Sequence, residues 1–212
     1  MTSHNMLSRP SISRGNTLAN PIRDEATFFD LGSIGSNLNV RVFVSSSPKQ
    51  SLIEQFVEFM IEEGIRDIFN FCHPTIEDTP YDCVILEDKG IQIHNFDMED
   101  GMAPSPEVLE EFDSVIDTIF RRATTMEPNS SGTSDIALLF HCQAGLGRAP
   151  TMLAYLMMRR FGWKSRRFQL MTDIREKRRN SFNHAQLIWI QQVKIKKISH
   201  SNKKGCESCI LL

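Results

Sequence analysis

At 212 residues, with 41% hydrophobic and 24% charged residues, the chain suits one globular domain with tails, and its net charge of −2 argues against a general nucleic-acid binder. No stretch approaches the ~20 apolar residues of a membrane span, the first residues lack the apolar core of a secretory signal, and Thr2 excludes N-myristoylation. Five scattered cysteines do not form an extracellular disulfide framework, which fits a reducing cytosolic setting.

Residues 1–24, rich in Ser, Asn, Arg and Pro without periodicity, read as a mobile tail. Thr27-Phe28-Phe29 and Asn39 to Val44 read as two strands joined by a Gly/Ser/Asn loop. From Gln50 to Gly64, Leu52, Ile53, Phe56, Phe59 and Met60 fall on one helical face, with Gly64 as the stop. Arg66 to Phe71 forms the next strand, ending at Cys72, and Ile91 to His94 a short one after the Lys89-Gly90 turn. Cys83 reads as a buried structural thiol. Ser105-Pro106 opens a helix running to about Met126, Ser as N-cap and Pro at the first helical position. Glu127 to Asp135 is a polar loop. Three helices are expected late in the chain, near 148–160, 164–178 and 183–197, and Asn183 with Gln186 forms a capping box for the last. Strands alternate with helices early and helices accumulate late, so the fold class is α/β, with a small central mixed sheet flanked by helices over residues 25–197.

The segment that carries chemistry is His141-Cys142-Gln143-Ala144-Gly145-Leu146-Gly147-Arg148. An apolar run, Ile136 to Phe140, precedes it and an apolar-rich helix follows, so it reads as strand, tight loop and helix N-terminus. Such a loop turns backbone N–H groups inward, and the helix end adds partial positive charge. Gln143, Ala144, Gly145, Leu146, Gly147 and Arg148 thus form a candidate cradle for a phosphate dianion. Cys142 lies beneath it as candidate nucleophile, its anion favoured by those same groups, and Arg148 offers a planar fork to two oxygens. The chemistry implied is cysteine-based phosphate ester hydrolysis, with no cofactor and no metal.

Displacement of an alkoxide or phenoxide needs a proton donor, and candidate acids cluster at Asp97-Met98-Glu99-Asp100-Gly101, before Pro104 and Pro106. Arg178 and Arg179 read either as a border of an anionic substrate or, the preferred reading, as an exposed helix end favoured by the macrodipole. At the C-terminus, Cys209-Ile210-Leu211-Leu212 is a prenylation box whose final Leu favours a geranylgeranyl chain. Lys194, Lys196, Lys197, Lys203 and Lys204 precede it, so residues 198–212 read as the end of a polybasic, lipidated tail that holds the protein on a membrane surface. Cys206 and Cys209 lack the second pair that a zinc site needs.

With Ala149-Pro150 directly after Arg148, Phe71-Cys72, Asp100-Gly101 and the run Ile174 to Arg179 leading to Phe182-Asn183, the chain resembles the phosphatases of regenerating liver over residues 27–212. These are the prenylated branch of the dual-specificity protein tyrosine phosphatases. The resemblance implies that family's fold, a phosphocysteine intermediate and slow turnover on a phosphoprotein or phosphoinositide. It implies Asp100 as general acid, with Asp97 and Glu99 as alternatives, in a loop where this chain has Phe96-Asp97 instead of the family's Trp-Pro. It gives His141 a bracing role, gives Ala149 the place where most relatives carry a hydroxyl, and puts Cys72 where the family can form a redox disulfide with the catalytic cysteine, here Cys142, an inert thiol at a strand end being the other reading of Cys72. It also implies the cytoplasmic face of a membrane as the location. A second reading makes the chain a partner-locking module that docks a membrane magnesium-transport mediator through the same cleft. A third, the arsenate reductase and low-molecular-weight phosphatase class, is disfavoured because here the loop is late and the acids precede it.

Overall fold

The computed structural model describes residues 22, 25–34, 38–72, 81–125 and 134–195. Five strands, β1 (Thr27–Ile34), β2 (Leu38–Ser46), β3 (Ile65–Asn70), β4 (Gln92–Asn95) and β5 (Ser134–Cys142), form one sheet in the order β1-β2-β5-β3-β4. β1 pairs antiparallel with β2, and the remaining neighbours are parallel. The sheet is therefore mixed and small, as the alternation of elements implies. β5 lies in the middle because its apolar run, Ile136 to Phe140, is buried throughout and tolerates neighbours on both edges and both faces.

Alternation along the strands separates two cores. Val40, Val42, Val44, Phe69, Leu138 and Phe140 face one way and Phe43, Ile68, Ala137 and Leu139 the other. The second face is covered by α1 (Ile53–Glu63), entered through a 3-10 turn at Gln50–Leu52, and by the short α2 (Val84–Glu87). Gly64 ends α1 in the left-handed conformation at φ 73, as expected of a C-terminal glycine. The first face is covered by α3 (Pro106–Thr125), α4 (Arg148–Arg160), α5 (Arg167–Lys177) and α6 (His184–Gln192). Ser105 caps α3, its Oγ accepting from the Val108 N–H at 3.3 Å. Under α3, Phe69, Phe71, Phe96, Phe112 and Phe140 form an aromatic cluster in which Phe69 and Phe96 stack at 5.7 Å.

Several boundaries differ from those read in the sequence. β1 runs on to Ile34, through an irregularity between Asp30 and Gly32. The helix expected at 164–178 is a 3-10 turn at Trp163–Ser165 followed by α5. The helix expected at 183–197 stops at Gln192, because Arg167 takes the carbonyls of Ile190, Gln191 and Val193 and the chain turns extended at Val193. α2 has no counterpart in the sequence reading, since four residues are too few to show a period. Cys83 is only half-buried, at the rim of the second core. Ile22, inside the segment expected to be a tail, is 3% exposed in that same core. The rest of residues 1–24, and all of 198–212, lie outside the described residues.

Candidate active site

β5 delivers Cys142 to the end of the sheet, where it pairs in register with Ser46 of β2 and is 2% exposed. The chain then turns through Gln143 to Gly147 and enters α4 at Arg148. Gly145 makes the turn possible: its φ is 68, and a Cβ would collide with the Ser45 carbonyl and with the guanidinium of Arg178.

The orientation of the loop amides follows from where its carbonyls are held. Gln143 O accepts from the Ser47 N–H at 3.1 Å, and Leu146 O accepts from the Phe182 N–H at 2.8 Å. Gly145 O accepts from Arg178 Nε at 2.6 Å. Gly147 O accepts from both the N–H and the hydroxyl of Thr151 within α4, at 3.1 and 2.8 Å. In a planar trans peptide the next residue's N–H points opposite to the carbonyl. The N–H groups of Ala144, Leu146, Gly147 and Arg148 are therefore turned away from these anchors. The arrangement suits an anion held by backbone donors at the start of a helix.

Arg148 is 1% exposed. Its Nη1 donates to Met98 O at 3.1 Å, and its Nη2 lies 3.3 Å from Asp100 Oδ1. Asp100 itself is 74% exposed, at the mouth of the site. Phe96 and Met98 anchor the acidic loop in the core, and Asp97, Glu99 and Asp100 are exposed. Phe96 does so through its stack on Phe69 and a 2.8 Å bond from its N–H to Asn70 O. The capping box of α6 reaches the same loop. Asn183 Nδ2 donates to Gly101 O at 2.7 Å, Gln186 Nε2 lies 3.4 Å from Met102 O, and Gln186 also packs on Gly147. One helix N-terminus thus ties the acidic loop to the phosphate loop.

His141 is fully buried, and its Nε2 is 2.9 Å from the Tyr81 hydroxyl. Burial first, and the charge of Arg148 second, push its pKa down to about 3. Burial likewise raises that of Tyr81. Both are neutral at pH 7, so His141 is a brace and a poor general base. Ala149 is completely buried at the first turn of α4, with no hydroxyl to offer.

Arg178 overturns the reading of Arg178 and Arg179 as an exposed helix end, which holds only for Arg179. Besides Gly145 O, Arg178 binds Glu25 O at 3.1 Å and Thr27 Oγ1 at 2.9 Å through Nη1. Burial lowers its pKa, opposed by negative charge at Cys142 and Glu25. Ser47, Tyr81, Arg178, Asn183 and Gln186 carry site roles that the sequence did not reveal. Only the capping box left a readable trace.

Cys72 is a buried thiol just past the end of β3, and Cys142 is a buried thiol at the end of β5. Asn70 pairs with His141 across these parallel strands, and the Phe71 N–H donates to His141 O at 2.9 Å. Cys142 therefore closes β5 beside the strand end that Cys72 follows. Cys206 and Cys209 lie outside the described residues. Among the described residues no three His, Cys, Asp or Glu side chains gather where a metal ion could bind.

Comparison with known proteins agrees with this geometry. Residues 36–204 match the family described as PTP-SAK, a Swiss Army Knife protein with a DSP-PTPase phosphatase domain. Protein tyrosine phosphatase PRL-1 of Leishmania major is 30% identical over 151 residues, 71% of this chain and 80% of that protein. Human protein tyrosine phosphatase type IVA 3 is 28% identical over 178 residues, 82% of this chain and 91% of that protein. A solved protein tyrosine phosphatase structure from Leishmania major superposes with a TM-score of 0.64 at 25% identity, covering 80% of this chain and 98% of the other. The structure of a kinase-associated phosphatase, at 17% identity and a TM-score of 0.55, shares the fold. The chain belongs to the PRL branch of the dual-specificity-type protein tyrosine phosphatases.

Proposed function

We propose that the protein hydrolyses phosphate esters of tyrosine, and of serine or threonine, on phosphoproteins at a cytoplasmic membrane surface. The Cys142 thiolate attacks phosphorus, and the S–P bond forms as the ester P–O bond breaks. Asp100 gives its proton to the departing oxygen. Arg148 and the loop amides hold the equatorial oxygens throughout, with the bidentate fork matched to two of them. Water then attacks phosphorus, its proton returns to Asp100, and the S–P bond breaks to release phosphate and the thiolate. Ala149 offers the leaving sulfur no hydroxyl, so this second half is the slow one. The observation that carries the reading is the anchoring of the Gln143, Gly145, Leu146 and Gly147 carbonyls away from the amides that follow them.

A geranylgeranyl chain on Cys209, seconded by Lys194, Lys196, Lys197, Lys203 and Lys204, keeps the enzyme on the membrane. A second reading, docking of a membrane magnesium-transport protein through the cleft, draws support from Ala149 and from the pairing of the Asp100 carboxylate with Arg148. Rapid-quench kinetics separates the two. The phosphatase gives a burst of phosphocysteine followed by slow turnover. Cys142→Ser abolishes it, Arg148→Lys fails for want of the fork, and Ala149→Ser raises the steady-state rate more than the burst rate. A native protein with no burst and no turnover, but retained on a membrane partner, would favour docking.

A further inference from the structure

Phe168 is the most exposed large apolar side chain among the described residues, at 79%. It stands on the first turn of α5 directly after a cationic stretch. Lys164 and Arg166 are exposed, and the Arg166 guanidinium lies 4.5 Å over the half-buried Trp163 ring. Residues 161–172 contain no Asp or Glu. The ion pairs of the preceding helix end, between Arg159 or Arg160 and Asp113 or Asp117, leave Lys164 and Arg166 out.

The same corner is where the chain departs toward its C-terminus. Arg167 binds Lys164 O with Nε at 3.0 Å, and with its two Nη atoms binds the carbonyls of Ile190, Gln191 and Val193. This fastens the end of α6 beside the Trp163 turn. Lys194 is exposed there, and no acidic residue occurs between Asn183 and Cys206. An exposed aromatic ring on the same corner as exposed cations, at the root of a lysine-rich segment, has the chemistry of an interfacial anchor for an anionic leaflet.

We infer that the corner formed by Trp163, Lys164, Arg166, Phe168 and Lys194 is the face that the folded domain presents to an anionic lipid bilayer. Phe168 enters the headgroup region, and the cations meet the lipid phosphates. The inference rests on the membrane location proposed above, but not on the lipid at Cys209. Two contact points, the corner and the tail, would then fix the orientation of the domain, whereas a tail alone leaves it free to tumble.

The test uses the full chain as Cys209→Ser, which cannot be prenylated, with phosphatidylcholine vesicles containing or lacking phosphatidylserine. The expected result is salt-sensitive binding to the anionic vesicles only. Neutralising one cation of the corner should weaken partitioning roughly fivefold. Lys164→Glu with Arg166→Glu should weaken it further, and Phe168→Ser should weaken it several-fold. Turnover of a soluble phosphate ester, unchanged in these variants, shows that they fold. In a Trp189→Phe background, brominated acyl chains should quench Trp163. Corner variants that bind like the parent, with an unquenched Trp163 and binding lost only when the tail lysines are neutralised, would overturn the inference. So would absence of vesicle binding together with corner-dependent capture of a protein. An unmodified Cys209 in the cell-made protein counts against prenylation alone and leaves the vesicle result standing.

Discussion

Arg178, at the far end of α5, donates Nε–H to the Gly145 carbonyl at 2.6 Å. The bond turns the peptide between Gly145 and Leu146 so that the Leu146 N–H faces the opposite way, and the same guanidinium grips the start of β1 at Glu25 and Thr27. Arg178 therefore sets the direction of a donor in the candidate phosphate loop. Arg178→Met should lower kcat/KM for p-nitrophenyl phosphate by about tenfold to a hundredfold, through weaker oxyanion binding. Arg178→Lys should rescue little, since one ammonium cannot bridge Gly145, Glu25 and Thr27. Activity within twofold of the parent in both variants would show that the loop holds its shape unaided.

The approach of Asp100 to Arg148 makes it a competitor for the phosphate fork as well as the candidate acid. Asp100→Asn should tighten vanadate or phosphate binding about two- to fivefold, the scale of an exposed ion pair. Turnover of alkyl and aryl phosphates with poor leaving groups should fall by about a hundredfold or more, and that of esters with good leaving groups far less. Isothermal titration with vanadate and a leaving-group series measure the two effects separately. If Asp97→Asn or Glu99→Gln shows the leaving-group effect instead, the acid lies there.

Acid should destabilise the fold earlier than carboxylate titration alone would. The folded-state pKa of His141, about 3, lies below the unfolded value of 6.5, so the unfolded chain takes up a proton that the native state refuses. Stability contributed by this site is complete above pH 6.5 and declines as pH falls toward about 3. Between pH 6.5 and about pH 5 the decline amounts to about 2 kcal/mol. Urea midpoints across that interval should fall in the parent and stay flatter in His141→Asn. Parallel pH profiles would exclude His141 as the cause.

Peroxide should inactivate the enzyme reversibly, because Cys142 ends β5 and Cys72 lies just past the end of β3, on adjacent parallel strands about 4.8 Å apart where paired. A bridge needs Cα atoms within about 7 Å. Dithiothreitol should restore activity to the oxidised parent, whereas Cys72→Ser should progress to sulfinic acid at Cys142 and stay inactive. Peptide mass spectrometry reads both products. Sulfinic acid at Cys142 in the parent, without a bridged peptide, would reject the pairing.

The primary structure by itself determined the parts of this protein whose cause is local. A buried apolar run before Cys142, glycines within the loop and a helix after Arg148 specify strand, turn and helix N-terminus, because each depends on neighbours a few residues away. The same holds for the Gly64 stop, the Ser105 cap and the Asn183–Gln186 box. Tertiary structure decided what the loop amides face. Their direction depends on where the carbonyls go, and those partners come from Ser47, Arg178 and Phe182, at the edges of elements far apart in the chain. The same distance hid Tyr81 behind His141 and the grip of Asn183 and Gln186 on the acidic loop. It also made Arg178 look like solvent-facing charge: a helix-end arginine has the same local sequence whether water or a glycine carbonyl receives its hydrogens, and only the packing of α5 against α4 and α6 brings that carbonyl within reach.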